Sequence, residues 1–179
     1  MNLMTIFMNN FTYHYKDNFL NNIDDIRSIA LNCNYNKSDL NTGWKGFRSN
    51  LIEANLIKDP ILDEICEFLN LEKNNYTLSC FFHYSLEETK YECFPSFNQY
   101  KWHVDGCDVA GVIYLQPFPM NNCGTSIINK KGEKLEIDNV YNRILYYDAN
   151  LLHAPNNLFG KDIDNSRMTI SFFMTHISN

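Results

Sequence analysis

Apolar positions in the first part of the chain recur at three- and four-residue intervals, the spacing of one helix face. The interval from Asp17 to Leu31 is therefore predicted to form a first helix, whose apolar stripe comprises Phe19, Ile23, Ile26 and Ala30. A second helix is predicted to begin at Pro60, with Asp59 before it as the N-cap residue. Its stripe comprises Ile61, Leu62, Ile65 and Leu69. Between the two helices, the glycine-containing stretch NTGWKGFRSN (41–50) predicts a loop.

From about residue 76 the pattern changes to short aromatic and β-branched runs separated by Gly, Pro, Asn and Asp. These runs are YTLSCFFHYS, YKWHVD, VAGVIYLQP, GTSIIN, EKLEI, NRILYYDA and SRMTISFFMTH. They predict about eight strands in a sandwich or barrel. We therefore expect a mainly β protein with N-terminal helices (α+β), built as a double-stranded β-helix, or jelly roll, with the helices packed on one outer face. The whole chain, 1–179, is expected to be a single domain, with 1–75 as helical support and 76–179 as the β core.

Composition narrows the possible partners. An aromatic content of 15 % agrees with the β pattern, and a net charge of −6 disfavours nucleic-acid binding. No apolar run approaches the ~18–20 residues of a membrane span, and the N-terminus lacks the basic region of a signal peptide. The six cysteines form no C-x-x-C pair, which is typical of free thiols in a reducing compartment. We expect a cytoplasmic protein that binds neither nucleic acid nor membrane, and the sequence leaves its oligomeric state open.

The segment KWHVDG (101–106) contains the first candidate chemistry. Alternate side chains of a strand face the same side, so His103 and Asp105 are expected to face together and could ligate one metal ion. Trp102 and Val104 would then face the other way, into the packing of the sheet. Cys107, after the glycine that ends this run, is interpreted as a loop thiol. Two such polar residues also alternate by chance, so the pair alone leaves the metal site open.

A third ligand can be sought among the five histidines. His14 precedes the first helix, His176 lies close to the C-terminus, and His83 lies in an aromatic strand where a hydrogen-bonded core role suffices. His153 follows the run NRILYYDANLL and precedes an Asn-rich loop, which makes it the best candidate. Two histidines and one carboxylate with open positions are the facial triad of non-haem Fe(II) oxygenases.

Arg167 and Thr169 add a second element of chemistry. They open the strand RMTISFF and are expected to share one face. A guanidinium with a nearby hydroxyl at the inner end of a barrel can bind both oxygens of a carboxylate. A salt bridge to one of the chain's own acidic residues would equally satisfy a buried arginine.

In this order and spacing, His103-x-Asp105, His153 and Arg167-x-Thr169 resemble the 2-oxoglutarate- and Fe(II)-dependent dioxygenases, most closely their prolyl-4-hydroxylase-like branch. VAGVIYLQP resembles the strand that follows the first ligand pair in that family, and CGTSI resembles its Gly-Gly-Thr segment, with Cys123 in place of one glycine. The resemblance covers roughly residues 76 to 175.

The resemblance implies roles for individual residues. His103, Asp105 and His153 would hold Fe(II), and Arg167 would pair with the distal carboxylate of 2-oxoglutarate, assisted by Thr169 and Tyr114. Tyr84, on the preceding strand, is a further candidate for this pocket, although a core aromatic role fits it as well. The expected activity is an O₂-dependent hydroxylation that releases succinate and CO₂. The retained carboxylate of Asp105 favours hydroxylation over halogenation.

The substrate is less defined. A protein or peptide side chain is favoured slightly over a small metabolite, because of the branch resembled. Candidates for the substrate entrance are the 85–100 loop, the GWKGFRS loop with Trp44, Lys45 and Arg48, the Asn-rich segment after His153, and Lys101. Two alternatives remain: a non-catalytic jelly-roll protein that binds metal, and a cupin-type metalloenzyme that does not use 2-oxoglutarate.

Overall fold

The computed structural model describes residues 12–38, 45–89 and 102–177. Its α-helices are α1 (Ile23–Leu31) and α2 (Asn55–Leu69), and Lys73–Asn75 form a short 3₁₀ helix. Its strands are β1 (Tyr13–Lys16), β2 (Tyr35–Lys37), β3 (Phe47–Ser49), β4 (Tyr76–Ser85), β5 (Val109–Tyr114), β6 (Thr125–Ile128), β7 (Lys134–Ile137), β8 (Ile144–Asp148), β9 (His153–Pro155) and β10 (Arg167–His176). In these three ranges, no helix has the length and apolar character needed to cross a membrane.

The strands form two antiparallel sheets. The large sheet has the order β1-β8-β5-β10-β4-β3-β2, and the small sheet has the order β7-β6-β9. One buried cluster joins the inner faces of the two sheets, and its members include Val112 of β5, Ile127 of β6 and Leu145 of β8. A second cluster joins the outer face of the large sheet to the apolar stripes of α1 and α2. The predicted jelly roll with helices on one outer face is therefore confirmed.

Both helices start at residues other than those predicted. Helix α1 begins at Ile23 and not near Asp17, because Asn18 has a φ of 52° and the N–H of Leu20 donates to the side chain of Asn142. Helix α2 begins at Asn55, so the predicted start at Asp59 and Pro60 is wrong. The upstream turn forms because Ile57 is buried in the same stripe as Ile61 and Ile65.

The N-terminal region also contributes strands that the sequence pattern did not predict. Strand β1 pairs with β8, and β3 pairs with β4, so both extend the large sheet. The predicted loop at 41–50 is therefore wrong for Phe47–Ser49, while 41–44 lies outside the described residues. Strands of three or four residues are too short for an alternating pattern to be distinguished from a loop.

Residues 102–106 of the segment KWHVDG do not form a regular strand. His103 forms a single antiparallel bridge with His153, through N–H to carbonyl bonds of 3.2 and 3.0 Å. The prediction that Val104 packs into the sheet is wrong, because its side chain is 52 % exposed. A residue next to a single bridge has no sheet surface opposite its side chain to cover it.

Candidate metal centre

Three predicted ligands converge at the inner side of the small sheet. The imidazole Nε2 of His153 lies 3.2 Å from Oδ2 of Asp105, and Nε2 of His103 lies 3.9 Å from Oδ1 of the same carboxylate. One ligand atom from each residue lies within 4.8 Å of the other two. The side chain of His153 is buried, whereas that of His103 is 40 % exposed. The centre therefore has one buried wall and one side open toward solvent.

Backbone pairing positions these side chains. The bridge between His103 and His153 holds the two backbones together, and the N–H of Asp105 donates to the carbonyl of Ala149 at 2.9 Å. Strand β9 is itself held by pairing with β6, through Ile127 opposite His153. The three ligands thus depend on contacts between segments that are far apart in the chain.

The tautomer of His153 is determined by its second ring nitrogen. Nδ1 of His153 lies 2.9 Å from the carbonyl oxygen of Leu151. A carbonyl only accepts, so Nδ1 donates to it, and Nε2 is the ring nitrogen that faces Asp105 and could ligate a metal. Orientation of a ligating imidazole by a backbone carbonyl on its other nitrogen is a common feature of metal sites. Two imidazoles and one carboxylate in this arrangement fit a divalent iron ion with open coordination positions.

Arg167 lies at the start of β10, with its side chain on the inner face of the large sheet. Its Nε donates to the carbonyl of Cys123 at 3.2 Å, and its Nη2 donates to the carbonyl of Gly124 and the hydroxyl of Thr125 at 3.4 and 3.2 Å. These three acceptors are neutral, and Arg167 is only 7 % exposed. In the described ranges, no acidic side chain forms an ion pair with Arg167. The alternative of a salt bridge to the chain's own carboxylates is not found there, so a buried positive charge is available to an anionic ligand.

Tyr114 and Thr169 lie beside Arg167, as predicted. They face each other across β5 and β10, and the centre of the Tyr114 ring lies 5.6 Å from the guanidinium carbon of Arg167. The hydroxyls of Tyr114 and Thr125 are 2.8 Å apart, and the Thr169 hydroxyl is fully buried. Burial raises the pKa of Tyr114 above its usual value, so the phenol keeps its proton at neutral pH and can donate a hydrogen bond.

Tyr147 connects the arginine to the metal ligands. Its buried ring lies 4.6 Å from the ring of His153, and it stands on the inner face of β8. Burial and the negative charge of Asp105 raise the pKa of Tyr147, while the positive charge of Arg167 opposes this shift. Tyr147 and Tyr114 belong to one buried cluster between the two sheets. The metal ligands, which Tyr147 contacts, and Arg167, which lies beside Tyr114, therefore border one interior, which we call the inner chamber.

Tyr84 is not part of this chamber. It pairs with Met168, whose side chain faces the helices, and its ring stacks on Phe47 at 4.5 Å and meets the edge of Tyr35 at 4.8 Å. The preceding residue, His83, pairs with Thr169 and faces the chamber instead. Of the predicted pocket residues, the structure brings together Arg167, Thr169 and Tyr114, and places Tyr84 on the opposite face of the sheet.

Sequence reasoning missed Thr125, His83 and the inner orientation of Arg48. Thr125 was visible only as part of the CGTSI run, while the other two required the register of β3 and β4. Within that run, position 124 has no room for a side chain, because a Cβ on Gly124 would overlap the carbonyl oxygen of Ile137. Trp44, Lys101 and residues 90–100 of the predicted entrance loop lie outside the described residues.

Comparison with known proteins supports the fold. No protein-family model matches the sequence, and no curated protein matches it. Among solved structures, a prolyl-4-hydroxylase from Pseudomonas putida is similar with a TM-score of 0.60 and 14 % identity, over 99 % of this chain and 100 % of the other. A Trichoplax adhaerens prolyl hydroxylase in complex with a peptide fragment of hypoxia inducible factor has a TM-score of 0.62 and 14 % identity, over 97 % and 89 % of the two chains.

A third similar structure contains the expected co-substrate. It is the viral collagen prolyl hydroxylase of Paramecium Bursaria Chlorella virus-1 in its 2-oxoglutarate complex, with a TM-score of 0.55, 16 % identity and coverage of 95 % and 99 %. Identities this low establish the fold alone. The chain therefore has the fold of the prolyl hydroxylases, in agreement with the resemblance seen in its sequence motifs.

Proposed function

We propose that the protein is an Fe(II)- and 2-oxoglutarate-dependent dioxygenase that hydroxylates a C–H bond and releases succinate and CO₂. The observation that carries this proposal is the buried Arg167, which bonds only neutral oxygens in the described part of the chain. Arg167 borders the same buried cluster as the three ligands His103, Asp105 and His153, through Tyr114 and Tyr147. A metal-binding protein without a carboxylate-bearing co-substrate has no use for such a group.

His103, Asp105 and His153 would hold the iron through Nε2, a carboxylate oxygen and Nε2. Bound there, Fe(II) would supply the activation of O₂ that is coupled to decarboxylation of 2-oxoglutarate. The bond from Nδ1 of His153 to Leu151 keeps that imidazole oriented toward the metal. The carboxylate of Asp105 would occupy one coordination position of that iron, which favours hydroxylation over halogenation.

Arg167 would bind the distal carboxylate of 2-oxoglutarate. Its three bonds to neutral oxygens use Nε and Nη2, so Nη1 retains two donors for the ligand. The protonated phenol of Tyr114 and the hydroxyl of Thr169 lie beside it and would complete the receptor. Burial of the receptor strengthens these charge-assisted bonds.

The substrate would be a protein or peptide residue, or a small metabolite. The similar Trichoplax adhaerens enzyme is bound to a peptide, which favours the first class for this chain. A cytoplasmic location remains part of this proposal.

The experiment is O₂-dependent conversion of 2-oxoglutarate to succinate, measured by NMR for the Fe(II)-loaded protein with a panel of peptides and amino acids. We expect succinate from the wild-type protein and none above background from Asp105→Ala. Metal binding without succinate from any member of the panel would favour the non-catalytic alternative. Oxidation of a substrate in the absence of 2-oxoglutarate would favour the cupin-type alternative.

A further inference from the structure

The register of the large sheet arranges the inner-face side chains in rows. One row runs across β3, β4, β10 and β5, and comprises Arg48, His83, Thr169 and Tyr114. A second row lies four positions away on β4, β10 and β5 and continues onto β8. It comprises Ser79, Phe173, Ala110 and Tyr147. Because the Tyr147 ring contacts His153, this second row marks the level of the metal centre in the sheet.

The side chain of Arg48 extends from its own row toward the metal level. Its guanidinium carbon lies 5.2 Å from the centre of the Phe81 ring and 5.7 Å from that of Phe173. Phe173 belongs to the row of Tyr147, and Phe81 lies between the two rows. The guanidinium therefore lies on the wall formed by β3, β4 and β10, near the centre that holds Asp105. The negative charge of Asp105 opposes the lowering of the Arg48 pKa by burial, in agreement with this position.

The two arginines of the chamber have different surroundings. Arg167 is bonded to the carbonyls of the Cys123–Gly124 segment, whereas Arg48 lies against two half-buried aromatic rings on the other side of β10. Aromatic faces favour a positive charge beside them, and burial lowers the pKa of Arg48 only to about 10, so it stays charged at neutral pH. Arg48 therefore borders the metal level from the side of β10 that lies away from Cys123 and Gly124, and it is not part of the 2-oxoglutarate receptor proposed above.

We propose that Arg48 receives a carboxylate of the primary substrate, so that the substrate class is acidic. This inference rests on the proposed function and adds a specificity-determining residue to it. A planar guanidinium binds both oxygens of a carboxylate, and a partly buried one does so with little competition from water. The carboxylate could be the α-carboxylate of a free amino acid or the side chain of an Asp or Glu residue in a peptide.

The test compares acidic compounds with neutral partners of the same shape. Succinate release is measured for free Glu, Asp and Pro against their α-amides, and for short peptides with Glu or Asp against the same peptides with Gln or Asn. The proteins are wild type, Arg48→Met and the control Lys37→Met. Lys37 is a cation at the same end of the large sheet, 5.7 Å from the Phe47 ring on the outer face.

We expect the wild type and Lys37→Met to prefer acidic members of a pair. Arg48→Met should reduce kcat/KM for the acidic compounds by about 10- to 100-fold, which is the effect of losing a charge-assisted hydrogen bond. The kcat/KM for the neutral compounds should stay the same. Stimulation of succinate release by acidic amino acids alone, or by acidic peptides alone, identifies the source of the carboxylate. A panel in which no acidic compound exceeds its neutral partner overturns the proposal.

A second measurement separates this proposal from the proposed function. The anaerobic complex of Fe(II) and 2-oxoglutarate has a visible charge-transfer band, and Arg48→Met should retain it at wild-type affinity. Loss of the band in Arg48→Met would instead make Arg48 a residue that positions the metal centre, which overturns its substrate role. Absence of the band in the wild type would contradict the proposed function itself.

Discussion

Replacing Arg167 with methionine keeps most of the apolar stem of the side chain and removes its buried charge. The guanidinium is 7 % exposed, and its bonds to Cys123, Gly124 and Thr125 are all to neutral oxygens. Removing one partner of a buried charge pair costs about 3–5 kcal/mol. The lower value corresponds to an increase of about 150-fold in the Kd of 2-oxoglutarate. Iron affinity should change by no more than about twofold, because none of the three ligands contacts this side chain.

The assay is an anaerobic titration of the Fe(II)-loaded variant with 2-oxoglutarate, alongside a separate titration of iron. Arg27→Met is the matched control, because Arg27 also donates to a backbone carbonyl, that of Leu115, but extends from helix α1 on the outer face. Thermal unfolding of both variants measures the stability lost with these bonds. An unchanged Kd for 2-oxoglutarate in Arg167→Met, or an equal loss of iron and 2-oxoglutarate binding, would refute the assignment.

Three further variants test the surroundings of the site. Tyr114→Phe should raise the Kd of 2-oxoglutarate about fivefold in the same titration, since one hydrogen bond of about 1 kcal/mol is lost; no change would exclude the phenol as a donor. Burial and the positive charge of Arg48 lower the pKa of His83 to about 3. The neutral imidazole therefore contributes to folding stability above about pH 6.5, and this stability is lost as the pH falls from about 6.5 toward 3. Between pH 7 and 4.5, urea unfolding of the apoprotein should show up to about 2 kcal/mol less destabilisation for His83→Gln than for wild type, and equal losses would contradict the buried neutral imidazole. Gly124→Ala should lower the free energy of unfolding by about 2 kcal/mol or more, because its Cβ meets the Ile137 carbonyl. Gly106→Ala is the control, because a Cβ at Gly106 meets open space. Equal thermal unfolding of the two variants would contradict this packing.

The residues of the candidate site could be selected from the sequence because their type and order are unusual. His103, Asp105, His153 and Arg167 are polar residues within or next to apolar runs, and the structure brings the first three within 4.8 Å of one another. The long strands β4 and β10 were likewise visible, since each contains an aromatic or β-branched run of ten residues.

Other features depend on contacts that a local pattern does not encode. Tyr84 and His83 are neighbours with opposite orientations, and only the pairing of β4 with β10 shows that His83 faces the chamber. Val104 alternates with the metal ligands as a strand residue would, yet a single bridge leaves it exposed. Arg48 belongs to a strand of three residues whose existence depends on its neighbour β4.

The most direct test of the 2-oxoglutarate-dependent centre is the visible spectrum of the anaerobic protein with Fe(II) and 2-oxoglutarate. The wild-type protein should develop a charge-transfer band that saturates at one 2-oxoglutarate per iron, and Asp105→Ala should not develop it. A wild-type spectrum that does not change on addition of 2-oxoglutarate, with iron demonstrably bound, would contradict the proposed centre.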